Sequence, residues 1–146
     1  MIKFLSILIV VFVFGFGGFF VNEARKEIYF LCGNFTSGTP LNSVFKQLNT
    51  IKFSQYKILT LAGFNKLKPE LAIQIDTQNK QAQALNHYLV LFQSPLTFER
   101  NNCQIQFTSK TKFETNENGE IAISNIGFQK KLDDLEVSRS TYKGML

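Results

Sequence analysis

Phe4 through Val21 is an unbroken run of 18 uncharged, mostly apolar residues, preceded by Lys3 and the terminal amine. At about 1.5 Å of rise per residue such a helix is about 27 Å long, close to the hydrocarbon thickness of a bilayer. A helix that is apolar all round has no face to offer water, so it demands lipid or protein on every side. We read the run as an uncleaved membrane anchor. A cleaved secretory signal is the alternative, since Lys3 and Leu5–Phe14 supply the basic start and apolar stretch of a signal. Gly15 and Gly17 would then precede a cut before Gly18, and Asn22 with Ala24 forms a second such pair, although neither is an Ala-x-Ala site. A buried core helix is the remaining option. Flanking charge is nearly balanced, with Lys3 and the amine facing Arg25 and Lys26 across the run. With so little chain ahead of it, the simplest topology keeps the N-terminus in the cytoplasm and turns the rest outward.

Three local patterns are discarded. Gly18-Phe19-Phe20-Val21-Asn22-Glu23 imitates a prepilin cleavage site, but there the apolar stretch follows the cut instead of preceding it. Cys32 follows Phe30 and Leu31, which are too bulky for a lipidation signal. Asn34-Phe35-Thr36 is a glycosylation sequon, relevant only in a eukaryotic secretory pathway.

From Ala24 onward there are 123 residues carrying a net charge of +5, enough chain for one domain with its own core. Residues 1–23 are thus assigned to the anchor or signal segment, 24–128 to an extracytoplasmic domain and 129–146 to a polar tail. The basic residues are scattered singly, with only Arg25-Lys26 and Lys130-Lys131 adjacent. A nucleic-acid interface would gather them on one element among stacking aromatics, so no nucleic-acid partner is expected. Weak attraction to anionic headgroups beside the anchor is the functional reading of this charge.

The expected class is α+β: an N-terminal membrane helix, then a two-layer domain with one or two short helices on a four- to five-stranded, mainly antiparallel sheet. Ala24–Leu31 continues the membrane helix or opens the domain, and Gly33-Asn34 stops it. Thr39 as N-cap and Pro40 in the first turn open a helix to about Asn49, with Leu41, Val44, Phe45 and Leu48 on one face. Ser54–Ala62 fits a helix capped by Ser54 and stopped by Gly63 slightly better than a strand. After Pro69, the alternation of Leu71, Ile73 and Ile75 predicts a strand, and Tyr88–Phe92 predicts a central one. From Cys103 to Glu114 apolar and polar residues alternate, predicting one long strand with a wet face. A three-residue loop, Glu117-Asn118-Gly119, would pair Asn116 with Glu120, and so Thr115 with Ile121 and Phe113 with Ile123. From Gln129 the alternating charges predict a frayed helix or disorder.

Cys32 and Cys103 are the only cysteines. In an oxidising compartment they predict a disulfide, which would close a loop of about 70 residues and add about 4 kcal/mol in the chain-entropy model. Two buried thiols, or one reactive thiol, are the alternatives. His87 is the lone histidine; nothing in the spacing favours a Cys–His dyad with either cysteine, and a disulfide would remove the nucleophile. Glu70, Asp76 and Glu99 show no pairing in sequence, and Asp133-Asp134 falls in the tail. There is no zinc-ligand spacing, no phosphate-cradling glycine loop and no serine elbow, so we expect no metal, no cofactor and no enzyme.

The segment Gly38-Thr39-Pro40-Leu41-Asn42-Ser43-Val44-Phe45-Lys46-Gln47-Leu48, with Ile105-Gln106-Phe107 and Asn118-Gly119, resembles small bacterial envelope proteins of the SmpA/OmlA type, the outer-membrane assembly lipoproteins. The resemblance implies a helix pair on a short antiparallel sheet. The family's lipidated cysteine and the Gly-x-Pro after its helix are absent, so none of its functional residues carries over. The leading expectation is a non-enzymatic module of the cell envelope, held in the inner membrane with its domain in the periplasm or outside, and binding an envelope protein or the membrane surface. A small extracytoplasmic enzyme or inhibitor using His87, a cytoplasm-facing regulatory domain, and a secreted form freed by signal cleavage are the alternatives.

Overall fold

The computed structural model describes all residues except 1, 53, 74–84, 98–99, 123–127, 129 and 145–146. Helix α1, Ile2–Asn34, is a single unbroken helix of 33 residues that takes in the whole apolar run and continues into the domain. The other helices are α2, Leu41–Leu48, and α3, Leu61–Leu67. The strands are β1, Gln55–Thr60; β2, Asn86–Gln93; β3, Asn102–Ser109; β4, Glu120–Ile121; and β5, Val137–Lys143. They form one sheet in the order β4-β1-β2-β3-β5, with every pair antiparallel. The α+β class is therefore as expected from sequence.

The larger core lies on the sheet face that carries Ile58, Tyr88, Val90, Phe92, Cys103, Ile105 and Phe107. The lower flank of α1 and the apolar stripe of α2 (Leu41, Val44, Phe45, Leu48) cover it. Rings do much of the filling: Phe128 meets Phe45, Phe107 and Phe113 at centroid distances of 5.8, 6.2 and 5.2 Å. The opposite face holds a smaller cluster, Leu59, Leu89 and Leu91 under Phe64 of α3.

Several sequence readings need correction. Ser54–Ala62 is a strand followed by a helix, because the capping oxygen belongs to Thr60: its hydroxyl accepts from Gly63 N at 3.0 Å. Gly63 lies inside α3 rather than stopping it, and a Cβ there would meet the Asn118 carbonyl at 2.6 Å. α2 starts one residue later than expected, at Leu41, since the Thr39 carbonyl is taken by Val137 N. Leu71 lies in a short 3-10 turn and Ile73 is clamped by both amide atoms of Asn65, so no strand forms there; Ile75 is outside the described residues.

β3 ends at Ser109, well short of Glu114. The Tyr88 hydroxyl accepts from Phe113 N at 2.9 Å, and this turns the chain inward so that Phe113 joins the core. Nor is the polar face of β3 all wet, for Gln104 is only 2% exposed. The loop at Glu117-Asn118-Gly119 does close as predicted, with Asn116 N donating to the Glu120 carbonyl at 3.0 Å and Gly119 at φ 74°. Its outgoing strand, however, pairs with β1 (Ile58 opposite Ile121) and not with a continuation of β3. Ile123 lies outside the described residues. The largest correction is the tail: Val137–Lys143 is neither helical nor frayed but forms β5, hydrogen-bonded along β3.

Candidate functional site

α1 divides into two parts. From Ser6 to Val21 every side chain is exposed, Phe14 by 77% and Val11 by 65%. The helix from Ser6 to Asn34 is long and apolar enough to cross a membrane, and only 6% of its most apolar window is buried. Beyond Asn22 the same helix acquires a stripe. Ala24, Ile28 and Cys32 recur at four-residue intervals and are buried to 5% exposure or less, and Phe35, at 1%, follows just past the helix end.

Three contacts fix this stripe to the domain. Cys32 and Cys103 form a disulfide with a Cα–Cα distance of 5.6 Å, tying α1 to the second residue of β3. The Ser140 hydroxyl, on β5, donates to the Cys32 carbonyl at 3.1 Å. Glu27 accepts from Lys52 N at 2.9 Å and from the Ser54 hydroxyl at 2.8 Å, so one carboxylate closes the loop between α2 and β1. Tyr29 adds an edge-on contact with Tyr142 at 5.4 Å. None of Glu27, Ser140 or Tyr142 was singled out from sequence. The only signal for the latter pair was the β-favouring Val137-Ser-Arg-Ser-Thr-Tyr142 content of the tail.

The sheet stands with one end toward the apolar half of α1. Gln55, Gln93, Asn102 and Lys143 are mutual neighbours across the ladders and form that end. The 3-10 turn Pro95–Thr97, in the loop joining β2 to β3, touches α1. Arg25 and Lys26 on α1, Lys52 and Arg100 in the flanking loops, and Lys143 at the end of β5 are therefore brought to one rim around the helix. Of the described carboxylates here, Glu23 is paired with Lys26 at 2.9 Å and Glu27 is engaged by the loop. Higher on α1, an open groove of about 680 Å³ runs between the helix end and β5, lined by Tyr29, Phe30, Cys32, Asn34, Arg139 and Tyr142.

The sequence-predicted chemical residues are not brought together. His87 sits on β2 opposite Thr108, on the same sheet face as Leu89 and Leu91, whereas Cys103 faces the other way into the larger core. With both sulfurs already bonded to each other, the Cys–His dyad does not form. Glu70 lies exposed in a turn, Asp133 accepts from the Asn42 amide at 2.6 Å, and Asp134 lies 3.7 Å from the Lys131 ammonium. Asp76 and Glu99 lie outside the described residues. No group of three or more His, Cys, Asp or Glu side chains is close enough to hold a metal ion among the described residues. No family model, no curated protein and no solved structure matches this chain.

Proposed function

We propose that this protein is a non-catalytic module of the bacterial cell envelope, anchored in the inner membrane by α1, with its domain on the oxidising side, binding another envelope protein or the membrane surface. The observation that carries this is the continuity of α1: one helix passes from an apolar, exposed stretch into the domain core without a linker. A removable signal has no need to be welded to the fold it exports. The Cys32–Cys103 disulfide supports an oxidising compartment and weighs against a cytoplasmic domain.

The test combines alkaline carbonate extraction with thiol labelling of intact cells by a membrane-impermeant reagent, before and after reduction. The expected result is retention in the membrane pellet at full length, with labelling only after reduction. Labelling that requires broken cells but no reductant would place the domain in the cytoplasm and overturn the proposal. A shortened, extractable chain would replace the anchored form with the secreted one.

A further inference from the structure

We propose that the basic rim at the anchored end of the domain is an anionic-lipid site, seating the domain on the phospholipid headgroups of the bilayer that α1 crosses. This rests on the anchoring reading above. Arg25 and Lys26 follow Val21 by four and five residues, about 6 and 8 Å along the helix axis. That is the depth of the headgroup layer outside a hydrocarbon core of about 30 Å. Lys52 is tied to the next turn of α1 through its backbone bond to Glu27, and the residue is exposed. Arg100 and Lys143 are exposed at the same end of the sheet, beside Asn101 and Asn102.

Most of the described carboxylates lie away from this rim, among cations of their own, with Lys57 3.8 Å from Glu120 and Lys131 3.7 Å from Asp134. Glu114, Glu117, Glu120, Asp133, Asp134 and Glu136 all lie toward the opposite end, on the loop that meets Thr60 and Gly63 and on the turn that precedes β5. The cations at this end thus outnumber the described carboxylates beside them, Glu23, which pairs with Lys26, and Glu27, which the loop before β1 engages. An anionic bilayer is the occupant that this geometry selects, because α1 already holds the rim against one. At 0.1 M salt the field of such a surface extends about 10 Å, beyond the heights of about 6 and 8 Å reached by Arg25 and Lys26.

The test uses the full chain reconstituted in phosphatidylcholine vesicles containing a trace of spin-labelled phosphatidylglycerol or phosphatidylcholine. Lipid held against the protein gives a motionally restricted spectral component. A basic residue at an anionic surface is worth about 1 kcal/mol, a factor of about five, so a preference of roughly fivefold or more for phosphatidylglycerol is expected. It should collapse toward one at 1 M salt, where screening shortens the field to about 3 Å. The triple variant Lys52→Gln, Arg100→Gln, Lys143→Gln should lose most of it, while Lys110→Gln, Lys112→Gln, Lys130→Gln, an equal loss of charge elsewhere, should keep it. A restricted component with no lipid preference, or a preference lost equally in both triple variants, overturns the proposal. The salt titration of the unaltered chain decides the matter if the rim variant does not fold. Absence of any restricted component, for either lipid, would instead show that α1 is not inserted, and the anchoring reading would fall together with this one.

Discussion

The two halves of α1 share a backbone conformation and nothing else. Between Ser6 and Val21 the side chains are apolar in every direction and all are exposed. Between Asn22 and Asn34 only one stripe is buried, and charged or aromatic groups (Lys26, Tyr29, Phe30) look outward. One half is built for a solvent that surrounds it and the other for a neighbour on one side. Helical hydrogen bonds are satisfied internally in both, so the helix passes between these environments without a break. What differs is what each half can tolerate.

The largest effect should come from charging the domain half. Ile28→Asp places an unpaired carboxylate at a site with no exposure, and a loss of about 4 kcal/mol or more in domain stability is expected by chemical denaturation. Membrane retention should be unchanged, because the apolar run is intact; joint loss of both properties would dissolve the distinction between the halves. The reciprocal change is Val13→Arg, at an exposed position near the middle of the run. Insertion should become less favourable by about 3 kcal/mol, read as a large shift from pellet to supernatant on carbonate extraction, with the midpoint of domain unfolding unmoved.

Glu27→Ala sharpens the boundary between the halves, since it removes the acceptor of Lys52 N and the Ser54 hydroxyl. A loss of about 1–2 kcal/mol is expected, with faster amide exchange confined to the loop before β1. The smallest effect concerns Tyr56, whose phenol is pushed above its ordinary value by burial. Its neutral form is favoured by the fold, so its contribution is complete below about pH 10 and is lost as pH rises through the folded value. Tyr56→Phe should therefore flatten the alkaline end of the stability profile, measured by denaturation between neutral pH and pH 11. The variant also gives up a 2.9 Å hydrogen bond to Asn49, a loss that appears equally at neutral pH and so separates from the titration.

Elements whose partners are local or whose burial is heavy were legible in sequence. α2 announces itself by four apolar residues at helical spacing, β2 by a continuous apolar run, and the turn at Gly119 by a residue able to hold φ 74°. The cysteine pair was legible because there was no other pairing to consider. β1 and β5 were not. In β1 the cap that matters is Thr60, at the far end of the segment from Ser54, whose hydroxyl is spent on Glu27, 27 residues earlier in the chain, rather than on a helix start. In β5 only Val137 is buried, so there is no apolar pattern to detect. Its strand conformation comes from the ladder that β3 offers, and the Arg and Lys side chains on it suit an edge.

Taken by itself, the amino-acid sequence determined the membrane-length helix, the α+β class and the single disulfide, because each follows from residue type and spacing along the chain. Only the tertiary structure decided which strands neighbour one another, which face of the sheet carries His87, and that scattered cations at Arg25, Lys52, Arg100 and Lys143 share one rim. Those facts depend on contacts between residues tens of positions apart, and such contacts leave no local periodicity to read.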